Sequence, residues 1–355
     1  MRIIHTADLH LDSSLEANLG SIRAKERKRE LLFSFSSLVD YAKNNNVKAI
    51  IIAGDLFDKP RVSMKTRDFI VDLIKDNPEI DFIYTSGNHD EDFFVTSIIE
   101  YPSNLYVFSS KWETIHYDEV DITGIAYFDN YNKIVYDTLT LNDKKKNIVV
   151  MHGELAKYDK DGAINLKMLV GKGIDYLALG HIHKFEKGEI DSRGVYVYSG
   201  CLEGRGFDEV GPKGFVLIDV NDNEIKSQFI KFSKREIHEA IIDISDSDSW
   251  SDIRRSVNLR LNGIDSKDIV LVKLVGNYDL GLIKQIELFE ESLNEQFYFA
   301  KVKDFSKLRI NPKEYENDIS LKGEFIRNVL ASKLNDEEKN QIIEYGIKAL
   351  MKEEL

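Results

Sequence analysis

Five apolar runs, each closed by a small or turn residue and then a side chain able to bind metal, constrain this chain more than any other feature. Residues 49–58 read AIIIAGDLFD. An unbroken apolar run of this length predicts a strand buried on both faces, which Gly54 ends. Asp55 then falls at the C-terminal edge, where open α/β sheets place their sites. The same phrase returns as RIIHTADLH (2–10), IDFIYTSGNHD (80–90), NIVVMHGE (147–154) and IDYLALGHIH (174–183). Five such strand ends predict one site, assembled around Asp55.

The ligand types narrow the chemistry. Asp8 and His10 are two apart on a strand, so their side chains point the same way. Asp55 follows the second strand, Asn88 and His89 the third, His152 the fourth, and His181 and His183 the fifth. Five of the eight histidines fall in these motifs. With His89 set aside, seven oxygen and nitrogen donors remain, too many for one tetrahedral zinc. They suffice for two ions if Asp55 bridges them. The absence of thiolates favours manganese, iron, zinc or magnesium over soft metals. Two ions about 3.5–4 Å apart can clamp the attacking and leaving oxygens of a displacement at phosphorus. Scattered buried polar residues are the bland alternative, and the repeated strand-end placement argues against it.

Charge and cysteine usage bound the setting. Lys and Arg total 48 against 61 Asp and Glu, a net charge of −13. That acidity argues against a protein that coats nucleic acid by bulk charge. An enzyme whose ions supply positive charge locally remains compatible with it. The single cysteine, Cys201, fits a reducing compartment. The first strand begins at Met1, so no cleavable signal peptide is expected. No apolar run approaches the roughly 20 residues of a spanning helix. A cytoplasmic protein is expected, associated with the nucleoid when on DNA, with no membrane partner.

Along the chain, strands alternate with helices up to residue 234. A basic run (Arg23, Lys25, Arg27, Lys28, Arg29) reads as a solvated helix start, and that helix continues to about residue 44. A second amphipathic helix spans 62–75, with Phe69, Ile70, Leu73 and Ile74 on one side. A short helix is expected beyond Asp90. Residues 235–310 follow a β-α-β-α-β order that suggests a small α+β cap, its helices at 250–261 and 279–294. Ser249 and Asp252 are spaced as a capping box. Beyond 311 two helices, 319–334 and 336–351, offer Phe325, Val329, Leu330, Ile347 and Leu350 as apolar anchors. His5 lies out of phase with His10 and reads as structural, whereas His116 and His238 read as solvated. Asp58 and Asp90 are placed to orient ligands or to serve turns. Arg205, in a glycine-rich loop, is a candidate contact for substrate.

The order D-x-H, G-D, G-N-H-D, H-G, G-H-x-H resembles the calcineurin-like metallophosphoesterase family. Within it, HTADLHLDS, AGDLFDKP, GHIHK and YSGCLEGRGFDEVGPKGFVLI are similar to the SbcD-type nuclease subunits of DNA double-strand-break repair. Ser199-Gly200-Cys201 stands where those relatives have a PGS-type turn. The resemblance implies a two-sheet αββα core over 1–234, an α+β cap over 235–310, and C-terminal helices over 311–355 that bind a partner or clasp the cap. It implies that Asp8, His10, Asp55 and His183 hold one ion and Asp55, Asn88, His152 and His181 the other. His89 would stabilise the transition state or protonate the leaving oxygen. The implied activity is manganese-dependent cleavage of DNA as an exonuclease or endonuclease. The implied partners are an SMC-like coiled-coil ATPase and a second copy of the chain, pairing through the helix at 62–75. A metallophosphatase acting on nucleotides, cyclic nucleotides or phosphoproteins is the alternative. A non-catalytic scaffold on the same fold is a further one.

Overall fold

A computed structural model describes residues 1–13, 15–58, 62–89, 98, 100–128, 131, 133–156, 163–221, 224–279 and 282–351. Asp90, the short helix expected beyond it, and Lys59 and Pro60 lie outside the described residues. The chain divides into two compact units, Met1–Glu236 and Ile237–Leu355. Among the described residues no helix is long and apolar enough to cross a membrane.

The first unit holds two six-stranded sheets. One contains β1 (Arg2–Thr6), β2 (Ala49–Ala53), β3 (Asp81–Thr85) and β4 (Leu105–Val107), with β13 (Gly214–Val220) and β14 (Ile225–Lys231), in the order β14-β13-β1-β2-β3-β4. The other contains β5 (Glu113–His116), β6 (Val120–Gly124), β7 (Lys146–His152), β10 (Tyr176–Gly180), β11 (Glu186–Glu189) and β12 (Val195–Tyr198), in the order β11-β12-β10-β7-β6-β5. A small ribbon pairs β8 (Glu154–Ala156) with β9 (Ala163–Asn165). The period of two in each strand explains why the sheets stack. Ile3, Ala49, Ile51, Ala53 and Ile83 meet Ile122, Ile148, Val150, Tyr176 and Ala178 in one buried cluster. The alternate residues Ile4, Ile50 and Ile52 are equally buried. Both faces of the central strands are therefore covered, as their unbroken apolar runs require. On the outer face of the second sheet, Val149, Met151, Leu177 and Leu179 pack with Tyr136 of α3 (Lys133–Thr138) and Leu139.

α1 (Glu16–Asn44) begins earlier than the basic run suggests and reaches the expected end. Its Tyr41 ring lies 5.1 Å from Phe215 of β13. Arg27 departs from the solvated reading, because its side chain is buried. It donates to Glu30 and, from Nη2, to Glu203 at 3.1 Å. Glu30 also receives Arg235 Nη2 at 2.7 Å, and Glu203 receives Ser34 Oγ at 2.7 Å. One partner satisfies another here, which is what makes burying four charges tolerable. Arg27→Met should therefore lower the stability of this unit by about 3–5 kcal/mol, the usual result of leaving a buried ion unpaired. Urea unfolding of the two proteins measures it; a loss under about 1 kcal/mol would mean that the network is better solvated than its burial implies. In α2 (Met64–Lys75), Ile70, Val71 and Ile74 are buried while Phe69 and Leu73 stay half-exposed, a narrower apolar stripe than expected.

The second unit is built on a parallel sheet, β15 (Ile237–Asp243), β16 (Ile269–Val275) and β18 (Phe299–Asp304), in the order β15-β16-β18. α4 (Trp250–Leu261) starts on the Ser249 cap, whose Oγ accepts from Asp252 N at 3.3 Å. The next helix, α5 (Ile286–Asn294), starts later than expected. The chain first forms β17 (Asn277–Asp279), which pairs with β19 (Lys307–Arg309). After the short α6 (Pro312–Tyr315) come α7 (Leu321–Leu330) and α8 (Asp336–Met351). Ile326, Ile343 and Ile347 share one buried core with Ala240, Val270, Val272 and Leu293, and Phe325, Val329 and Leu330 pack against it. Four of the five expected anchors thus serve this unit's own core, and Leu350 alone is exposed. A three-stranded sheet and two helices leave too little apolar cover without them.

Candidate metal centre

The expected donors come together because the strands that carry them are neighbours in the two sheets. β1, β2 and β3 deliver Asp8, His10, Asp55, Asn88 and His89; β7 and β10 deliver His152, His181 and His183. Beyond each strand end the backbone turns sharply. Asp8, His10, Asp55 and His181 have positive φ values of 53°, 45°, 50° and 104°. Such conformations cost about 1–3 kcal/mol each in non-glycine residues and concentrate where function fixes them. Two glycines make room. A Cβ on Gly54 would lie 2.1 Å from His152 Nδ1, and one on Gly87 2.1 Å from Asp55 Oδ1.

Two sets of donors face one another. In the first, His10 Nε2 and His183 Nε2 are 3.0 Å apart. Single donor atoms of Asp8, His10 and His183 all lie within 4.8 Å of one another. In the second, His152 Nε2 is 3.0 Å from Asn88 Oδ1, and His181 Nδ1 is 3.1 Å from the same oxygen. Asp55 Oδ2 stands between the sets, 3.7 Å from His10 Nε2 and 3.5 Å from His152 Nε2. Main-chain groups hold the carboxylates in place: His181 N donates to both oxygens of Asp8, and His89 N to Asp55 Oδ1 at 3.0 Å. Asp8, His10, Asp55 and His152 are buried, whereas Asn88 and His89 are exposed. The His89 ring stands edge-on to His10, with centroids 5.2 Å apart.

Protonation shows what the arrangement requires. His152 Nδ1 lies 2.9 Å from Ala53 O, a pure acceptor, so Nδ1 carries the proton and Nε2 a lone pair. Burial pushes its pKa down to about 4, which keeps the ring neutral. The lone pair on Nε2 therefore faces the oxygens of Asn88 and Asp55 with no proton between them. Burial likewise pushes the Asp8 carboxyl up to about 8. A carboxylate so costly to ionise alone is what a neighbouring cation stabilises. The donor set fits divalent ions taking oxygen and nitrogen. Cys201 is buried, and burial pushes its thiol up, so it does not compete as a ligand.

Around these donors lies a shell that the motifs foretold only in part. Asp58 Oδ1 lies 3.3 Å from His10 Nδ1, as an orienting residue would. Glu209 has no motif of its own, yet its Oε1 receives His183 Nδ1 at 2.7 Å. Burial alone would raise the Glu209 carboxyl, but His183 and Arg205 hold it well below the usual carboxylate range. Arg205, expected at the substrate, turns inward instead. Its Nη1 donates to Asp58 at 2.9 Å and its Nη2 to Glu209 at 2.9 Å, and two carboxylates outcompete solvent for it. His5 is buried with Nδ1 2.9 Å from Tyr176 Oη, as a structural histidine. His116 and His238 are paired with Asp121 and Asp268 rather than simply solvated.

Comparison with known proteins agrees with this geometry. The sequence profile of the calcineurin-like phosphoesterase family matches residues 1–185. The uncharacterized metallophosphoesterase YhaO of Bacillus subtilis is 27% identical over 291 residues, covering 78% of this chain and 71% of that one. The DNA double-strand break repair protein Mre11 of Sulfolobus acidocaldarius is 23% identical over 303 residues, covering 78% and 75%. Its counterpart from Sulfurisphaera tokodaii is 29% identical over 256 residues, covering 66% and 64%. A match over 78% of 355 residues, about 277, is longer than the 236-residue first unit, so the likeness continues into the second.

Proposed function

Because this chain belongs to the calcineurin-like phosphoesterase family, whose chemistry is metal-dependent hydrolysis of phosphoesters, we propose that it cleaves phosphodiester bonds in DNA. One observation carries the reading: nitrogen and oxygen donors from five strand ends converge in two sets on either side of one carboxylate. The likeness to break-repair proteins across both units supports DNA over a small phosphomonoester. In this reading Asp8, His10 and His183 would hold one divalent ion and Asn88, His152 and His181 the other, with Asp55 shared between them. Manganese suits a donor set of nitrogen and carboxylate oxygen without thiolate. Bound there, the pair of ions would polarise a phosphoryl oxygen and lower the pKa of a water towards neutrality.

The residues do the rest. His89, exposed beside the donors, protonates the leaving oxygen or stabilises charge developing on it. Asp58 lies 3.3 Å from His10 Nδ1, and single donor atoms of Asp58, His10 and His89 all lie within 4.8 Å of one another. A coiled-coil ATPase and a second copy of the chain complete the proposed assembly. Exposed Ile342, Tyr345 and Leu350 on α8 give such an ATPase an apolar surface, and α2 with exposed Met64 offers one for the second copy. The acidity of the chain makes DNA binding without ions or partner weak.

Specificity decides between substrate classes. Manganese-loaded protein should release nucleotides from linear DNA with a kcat/KM well above that for para-nitrophenyl phosphate, and metal-stripped protein should release none. Efficient hydrolysis of the monoester with DNA untouched would reassign the enzyme as a phosphatase.

A further inference from the structure

The loop at 199–213 supplies no expected ligand, yet it wraps one. Glu203 is buried and fixed by Arg27, by Ser34 and by the backbone N–H of Lys234. At the other end Lys213, also buried, donates Nζ to the main-chain oxygen of His183 at 2.7 Å. Between these pins Glu209 receives the Arg205 backbone N–H at 2.6 Å as well as the His183 ring. An ionised carboxylate can only accept, so the 2.7 Å contact places a proton on His183 Nδ1 and turns Nε2 towards His10. The Arg205 guanidinium spans from Glu209 to Asp58, and Nη1 reaches Ser13 Oγ at 3.4 Å. Asp58 in turn lies beside Nδ1 of His10, whose Nε2 faces Nε2 of His183.

We propose that Arg205 is a positioning residue for one metal site: bridging Asp58 and Glu209, it holds the outer nitrogens of His10 and His183 so that both Nε2 atoms stay aimed at one divalent cation. The inference rests on the reading that these two histidines share an ion. The planar fork of arginine suits the task, because it can engage two carboxylates in different directions at once. A lysine keeps the charge and loses the fork. It also explains why an arginine in a glycine-rich loop stays turned away from solvent, its side chain only 18% exposed.

Calorimetric titration of the metal-stripped, full-length chain with manganese chloride tests this. Wild type should take up two ions. Arg205→Lys should bind one of them about 10–100-fold more weakly, the usual effect of losing an outer partner of a ligand, and the other unchanged. Whatever phosphoester hydrolysis wild type shows should fall in this variant and return as manganese is raised, with substrate KM unaltered. Glu209→Gln should weaken the same ion, which answers the question independently if the lysine variant folds poorly. Two ions bound as in wild type by both variants would overturn the clamp. So would a raised KM for DNA that excess manganese does not repair, since that marks a substrate contact. A wild-type chain that takes up only one ion overturns the two-ion reading itself, a result distinct from either.

Discussion

The His89→Ala protein is expected to keep two ions per chain and to lose about 10²–10⁴-fold in turnover, the span typical of a lost general acid. The geometry separates the two properties. His89 fastens Asp55 through its backbone N–H, at 3.0 Å, and alanine retains that group. Its ring is exposed, with its centroid 5.2 Å from that of His10, whereas His183 Nε2 lies 3.0 Å from His10 Nε2. What truncation removes is therefore the ring proposed as the proton donor. A His10, Asp58 and His89 grouping close enough to hold a metal makes the opposite outcome concrete. Elemental analysis after manganese loading, run beside single-turnover kinetics, distinguishes them. Loss of an ion from the variant would make His89 a ligand.

Asp55→Asn should weaken both ions together, by at least the roughly 10–100-fold seen when only an outer partner is removed. Asp55 Oδ2 lies within 3.7 Å of a histidine nitrogen from each donor set, and the carboxylate is buried. In the proposed two-ion site its charge would be shared, so its loss would leave two dications facing each other with one negative group fewer. The other carboxyl oxygen also accepts from His89 N, and asparagine can retain only one of these functions. Manganese titration of the variant should show neither ion at concentrations that saturate wild type. Loss of one ion alone, with the second held normally, would remove Asp55 from the bridging position.

The candidate donors are legible in the sequence. Each lies within a few residues of an apolar run, so a local pattern of strand, turn and polar side chain reports it without any knowledge of the fold. The same patterns made the two-sheet core legible, because strands that are apolar without interruption must be covered on both faces. The α4 cap was legible for a similar reason, since Ser249 and Asp252 meet within a single turn. The buried partners of charged residues, those behind the donors included, emerge only from the fold. Glu209 meets His183 across 26 residues, Arg205 meets Asp58 across 147, and Glu30 meets Arg235 across 205. Asp58 and Arg205 stand out in the sequence without their partners, whereas Glu209, Glu30 and Arg235 are charged residues that nothing local distinguishes from a solvated surface. Burial distinguishes them: once removed from water, each must find an opposite charge, and only the fold determines which is near. The C-terminal helices follow the same logic. Their apolar faces were evident, but whether a face packs on its own unit or on another chain depends on how much core the unit lacks. Here Ile326, Ile343 and Ile347 complete the core of the three-stranded sheet, because a sheet that small cannot close its hydrophobic face alone.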